Sequence, residues 1–254
     1  MIIAIVNQKG GTGKTTSAAS IAHALAIAGR RVLAIDLDPQ GNLSHALGCG
    51  YGPGAADMLR NGQIGRVVSA RPGLDLVIGG PMTAPVADSL NSRMLGRLTV
   101  LQRALAGHGY DWVLIDCPPS LGVLSLNALV AAQGMVVPVS VEHLALQGLV
   151  QLSQTMAAMY AEGYRCGCWW IVPTFYDRRE RTRRHMLNQL MAHPELGKLV
   201  VSPIPRDVKL AECPRRHRTI WEHAPRSRAA QAYTCLVRQI ARDVITRDSG
   251  NGRE

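Results

Sequence analysis

Ile2-Ile-Ala-Ile-Val6 runs directly into Asn7-Gln-Lys-Gly-Gly-Thr-Gly-Lys-Thr-Thr16, and that loop into a helix-like stretch ending near Ala28. A continuous apolar run of this kind reads as a strand buried on both faces. Gly10, Gly11 and Gly13 let the backbone curl so that successive N–H groups face one anion, and a helix beginning near Lys14 adds its positive end. A strict phosphate loop places glycine five residues before the second glycine; here that position is Gln8, so the match is to a variant fronted by Lys9 and Gly10-Gly11. In that variant Lys14 would reach the β- and γ-phosphates of a nucleotide and the Thr15 hydroxyl would hold Mg²⁺.

Working outward, apolar runs of strand length recur at Val32–Ile35, Leu74–Ile78, Val113–Ile115, Met135–Val139, Trp169–Val172 and Leu199–Val201. Between them Thr15–Ala28, Asn91–Ala106, Leu121–Ala132, His143–Ala161 and Arg179–Met191 carry apolar residues at helical spacing. Alternating strands and helices predict an α/β fold, a doubly wound and mostly parallel sheet flanked by helices. Ligands on such sheets bind beyond the carboxyl ends of the strands. The length of 254 residues and a mean hydropathy of +0.04 suit one domain over residues 1–254, with a polar tail from about 246.

Two further strand ends carry carboxylates. The second apolar run ends Ile35-Asp-Leu-Asp-Pro-Gln-Gly-Asn42, where Asp36 and Asp38 are expected to point in different directions and Asp36 has an alternative as a turn cap. Trp112-Val-Leu-Ile-Asp-Cys-Pro-Pro-Ser120 ends its strand on Asp116, the arrangement that holds Mg²⁺ in phosphate-loop enzymes. In-line water, lysines, Mg²⁺ and one placed carboxylate are a sufficient kit for phosphoryl transfer.

Lys9-Gly-Gly-Thr-Gly-Lys-Thr-Thr16 resembles the deviant Walker A box of the ParA/MinD family, and the short, Soj-like form of ParA most of all. The run Asp116–Leu129, the block Val139–Leu149 and the segment Ile204-Pro-Arg-Asp-Val-Lys-Leu-Ala-Glu-Cys-Pro214 are also similar to family blocks, so the likeness spans Ile2 to about Ile245. The resemblance implies an ATPase using ATP and Mg²⁺, with Lys9, Lys14 and Asp38 as its catalytic residues. Lys9 would reach across a homodimer to the partner's nucleotide, Asp38 would position the attacking water, and Asp36 would lie with Thr15 and Asp116 beside the magnesium. Gly10, Gly11, Thr12, Gly13 and Thr16 complete the implied nucleotide site, with Pro205 and Arg206 near the adenine in the loop after the seventh strand, where Arg206 has an alternative facing DNA or solvent.

Net charge is +10, unevenly placed: residues 1–164 hold ten Lys/Arg against nine Asp/Glu, residues 165–254 eighteen against nine. Such asymmetry suits a polyanion-binding face, beside the plainer reading of a solvated arginine surface. Arg178, Arg179, Arg181, Arg183 and Arg184 crowd a helix start, where they oppose its dipole, and Arg215, Arg216 and Arg218 share a later loop. In the family, basic residues of these regions form a surface for non-specific DNA, and no base-reading motif accompanies them here.

The six cysteines are scattered and read as buried thiols, and Cys166–Cys168 lacks a second pair at zinc spacing. Leu121-Gly-Val123 supplies no cysteine for a cluster bridging two subunits. With no leader-like start and no span-length apolar run, the expected location is the cytoplasm, on the nucleoid, without membrane attachment. Two functions stand open. One is a partitioning or positioning ATPase, whose ATP dimer rides on DNA and is released when a ParB-like or other cargo adaptor stimulates hydrolysis. The other is a regulatory or scaffold module with incidental turnover; partner-stimulated ATPase activity separates them.

Overall fold

The computed structural model describes residues 1–141 and 145–250. In chain order its elements are β1 Ile2–Ile5, α1 Lys14–Ile27, β2 Val32–Asp36, α2 Asn42–Ala46, α3 Gly54–Asn61, β3 Val68–Arg71, β4 Leu74–Val77, α4 Thr83–Asn91 and α5 Val100–Ala104. They continue with β5 Trp112–Asp116, α6 Val123–Ala131, β6 Gly134–Ser140, α7 Ala145–Ala161, β7 Cys168–Thr174, α8 Arg181–Ala192, α9 Val208–Glu212, α10 Ile220–His223 and α11 Arg228–Gly250.

The strands form one sheet in the order β3-β4-β2-β5-β1-β6-β7, parallel except for the antiparallel β3–β4 edge. Residues alternate between two apolar layers as strand geometry requires. Ile3 and Ile5 of β1 and Val32 and Ala34 of β2 face Ile21 and Leu25 of α1 and Leu236 and Ile240 of α11. Ala4, Leu33 and Ile35 face the layer holding Met58 of α3, Leu101 of α5, Leu129 of α6 and Leu152 of α7. Burial on both sides is why these strands lack polar alternation. Helix α1 ends where Gly29 adopts φ 79, with Gly29 and Arg30 N–H closing on the Ala26 and Leu25 carbonyls at 2.9 and 3.1 Å.

β5 and β6, successive in sequence, flank β1 on opposite sides. The crevice of a doubly wound sheet therefore opens beyond the end of β1, where the glycine loop begins.

Three expectations are corrected. Leu199–Val201 adds no ladder strand: a short 3-10 turn covers Gly197–Leu199, and Val200 makes one isolated bridge to Ile171. The loop expected after a seventh strand at that point follows this bridge instead. Asn91–Ala106 is not one helix, because α4 ends at Asn91 and α5 starts only at Val100. Gly96 between them takes φ 69, while Met94 and Leu95, apolar residues that suggested a helix face, are exposed. The last helix runs past the expected polar boundary to Gly250; residues 251–254 of that tail and the expected helix start at His143 lie outside the described residues.

Candidate nucleotide site

The phosphate loop is tied down at both ends. Asn7, buried at the exit of β1, donates its amide to the Pro138 carbonyl at 2.7 Å and accepts the Lys9 N–H at 2.9 Å. Farther along, the Thr174 hydroxyl from the end of β7 donates to the Thr12 carbonyl at 2.9 Å. Gly11 and Gly13 sit at φ 69 and 89, and Gly13 leads directly into α1. A side chain at either position would strain the curl that aims the N–H groups inward. Lys14 is 7% exposed and donates its ammonium to the Lys9 carbonyl at 3.0 Å. Burial lowers its pKa against the pull of Asp116, Cys117 and Asp38. Lys9 itself is exposed at the mouth of the loop.

Asp116 and Asp38 lie close enough to act on this lysine, and Asp36 lies beside both of them. Asp116 is fully buried beside the Thr15 hydroxyl, and neither of its oxygens has a well-formed hydrogen bond. Burial, then the charge of Asp36, raises its pKa well above the usual range. A buried carboxyl whose oxygens lack partners, beside a Thr hydroxyl and a phosphate loop, fits a divalent cation, whose charge would favour the ionised form. Asp36 differs: its Oδ2 accepts the Ser44 N–H and hydroxyl at 2.8 and 2.7 Å, and its Oδ1 accepts the Asp38 N–H at 3.2 Å. Burial raises its pKa to about 6 despite these bonds. The turn-capping alternative thus describes Asp36 better than a free metal oxygen does.

Nor do Asp36 and Asp38 diverge as expected. Residues two apart share a face of a strand, and here β2 stops at Asp36, so that Asp38 begins a turn in which its Oδ1 accepts the Gln40 N–H at 2.9 Å. Asp38 remains beside Asp36, Asp116 and Lys14.

Sequence reading missed Ser44 and Gly79. The Ser44 hydroxyl bridges Asp36 to the Gly79 N–H, at 2.9 Å from the latter, and a Cβ on Gly79 would overlap the Asp36 carbonyl and come within 2.7 Å of its carboxyl carbon. The Gly79-Gly-Pro81 run after β4 was the available signal. Gly79→Ala is expected to cost about 1–3 kcal/mol by forcing backbone apart; an unchanged urea midpoint would contradict this close approach.

Beside the loop lies a cleft of about 500 Å³, lined by Lys9, Gly10, Gly11, Gly13, Thr16, Phe175, Pro205, Arg206 and Tyr233 among others. Pro205 and Arg206 line the same cleft as the glycine loop. Tyr233 of α11 shares a hydrogen bond with Ser17 at 3.0 Å, closing the cleft floor.

Seven of the eight arginines expected on a DNA surface are exposed; the exception is Arg183. Its side chain is 14% exposed, donating to Glu180 Oε2 at 2.6 Å and to the Phe175 carbonyl at 2.9 Å. Folding turns it toward the nucleotide cleft, so it drops out of the DNA set. Arg178, Arg179, Arg181 and Arg184 stay outside around the start of α8. The loop of Arg215, Arg216 and Arg218 docks on α2. His217, at φ 52, bonds the His45 carbonyl through Nδ1 at 2.7 Å, and Arg71 ties the His217 and Leu47 carbonyls to Glu222.

Residues 1–164 match the family described as AAA domain. The chain is 41% identical over 247 residues to the chromosome-partitioning ATPase Soj of Thermus thermophilus, covering 96% of this chain and 95% of that protein. It is 37% identical over 258 residues to the chromosome partitioning protein ParA of Caulobacter vibrioides, covering 97% and 94%. Among solved structures, cobyrinic acid a,c-diamide synthase from Mycobacterium smegmatis, with bound ATP analogue and magnesium, aligns with a TM-score of 0.79 at 34% identity, over 99% of this chain and 96% of that one.

Proposed function

The chain belongs to the ParA/MinD family of phosphate-loop ATPases and is Soj-like within it, and from that premise we propose that its ATP-bound dimer grips DNA without sequence preference and lets go when a ParB-like or other cargo adaptor stimulates hydrolysis. That it is an ATPase using ATP and Mg²⁺ follows from the same relatives and from neighbours solved with nucleotide and magnesium. One observation carries the rest: exposed arginines sit on two segments, one leaving the cleft at Phe175 and the other bonded to α2, just past Asp38. In this reading both basic segments stand close enough to the cleft and to Asp38 for the bound nucleotide to bias them.

In this reading the loop N–H groups and Lys14 hold the phosphates, and Asp38 orients the attacking water. Thr15 and Asp116 are the residues that would hold Mg²⁺, which supplies charge neutralisation at the phosphate oxygens when bound. Pro205 and Arg206 border the adenine. Lys9, exposed at the loop mouth, is the residue that reaches a second protomer's nucleotide in this reading. Among the described residues no helix is long and apolar enough to cross a membrane, and the proposal places the dimer on the nucleoid in the cytoplasm.

Lys9→Ala is expected to abolish ATP-dependent dimerisation while the monomer still binds nucleotide. Light scattering with ATP and with ADP reads this directly; a variant that dimerises like wild type removes the trans role. An adaptor that leaves turnover unchanged would favour the scaffold reading instead.

A further inference from the structure

We propose that Arg183 is a positioning residue of the nucleotide cleft, set by Glu180 and holding the Phe175 carbonyl so that the Phe175 ring forms the wall against which the nucleoside packs. The assignment rests on the cleft being the ATP site.

Phe175 has φ 53, a conformation bulky L-residues rarely adopt without surroundings that impose it. The chain on either side is fixed: Thr174 bonds Thr12, the Tyr176 N–H donates to the Ile204 carbonyl at 3.1 Å, and the Arg206 N–H donates to the Tyr176 carbonyl at 2.9 Å. Phe175 is the residue left between these anchors, and its own carbonyl is taken by Arg183 Nη1 at 2.9 Å. The left-handed turn swings the ring over the glycine loop, so that Cε2 and Cζ lie 3.9 Å from where a Gly13 Cβ would be. The ring thus covers the last glycine before α1, in the cleft that Pro205 and Tyr233 also line.

Glu180 supplies the orientation. One carboxylate oxygen takes Arg183 Nε at 2.6 Å and the other faces Arg206 Nη1 at 3.8 Å. The Arg183 guanidinium bonds Glu180 through Nε and the Phe175 carbonyl through Nη1 from one planar fork, whereas a lysine would have to serve both acceptors from a single nitrogen. Truncating Arg183 would free the carbonyl that stabilises the left-handed turn, and the ring would relax from the cleft. The phosphate loop, anchored separately through Asn7 and Thr174, would stay as it is.

The test uses the full chain and titration calorimetry with ADP and with inorganic tripolyphosphate. Arg183→Met should weaken ADP binding about tenfold, the scale of one charge-assisted hydrogen bond, with tripolyphosphate affinity unchanged. Glu180→Gln should give a smaller loss in the same direction, and Arg183→Lys should recover part of it. The double variant Phe175→Ala, Arg183→Met should bind ADP no more weakly than Phe175→Ala alone, because both act through the ring. An equal loss for tripolyphosphate would make Arg183 a phosphate contact and overturn the proposal. So would unchanged ADP affinity with DNA binding lost at saturating ATP, which would return Arg183 to the basic surface. Wild-type protein that fails to bind ADP would sink the reading of the cleft itself.

Discussion

Asp38→Asn is expected to lower ATP turnover by about 10²-fold or more while MgATP binding and the ATP-dependent dimer persist. The choice of asparagine matters. Asp38 Oδ1 accepts the Gln40 N–H at 2.9 Å and so shapes the turn leading into α2; asparagine keeps that acceptor and removes the charge that would orient water. Asp38→Ala loses both, and should show the same turnover with about 1 kcal/mol less stability from the lost turn hydrogen bond. Phosphate release from the two variants therefore separates chemistry from turn geometry. Wild-type turnover in Asp38→Asn would move the water-positioning role to another group. Lys14→Ala should fail one step earlier, at nucleotide binding, since its buried ammonium is the cation facing Asp116 and Asp38.

The second large effect concerns DNA. Arg179→Glu, Arg181→Glu and Arg184→Glu together should remove most binding to arbitrary duplexes and leave ATP-dependent dimerisation intact; all three side chains are exposed at the start of α8. Arg183 is left in place because its bonds point to the cleft. Each neutralised phosphate contributes roughly 0.9 to the slope of log K against log salt, so three contacts per protomer in a dimer would take about 5 from that slope. Anisotropy on unrelated duplexes across a salt series, with ATP and with ADP, measures it. Equal affinity in both nucleotide states would end the proposed switch, and an intact slope in the triple variant would mean that these arginines merely solubilise the surface.

Much of this molecule was readable from residue order. Ile2–Val6, the glycine loop and the run from Lys14 form a strand, an anion cradle and a helix from neighbours in the chain, and the structure places them as β1, the phosphate loop and α1. Continuous apolar runs identified β2, β4, β5, β6 and β7 for the same reason: a strand covered on both faces needs no partner's identity to declare itself. Asp116 was legible because the end of such a strand is where a ligand sits. The run Leu199–Val201 had the same appearance and failed, since only Val200 finds a bridge partner, in Ile171. The edge strand β3 escaped notice because its residues are only half buried and its pairing with β4 is set by the turn between them.

Tertiary structure decided the fate of individual polar side chains. Eight arginines look alike in sequence, and one of them, Arg183, has Glu180 three residues before it, yet only folding brings the Phe175 carbonyl to its guanidinium and turns it inward. Asp36 and Asp38 are two residues apart, and their different work depends on Ser44 and Gly79, brought in from α2 and from beyond β4. The basic loop at 215–218 meets α2 through His217 and His45, 172 residues apart. Apolar pattern and glycine placement act over a few residues, so sequence carries them; a hydrogen-bond partner for a buried or half-buried charge is chosen by whatever the packed elements bring within about 3 Å, and that is a property of the fold.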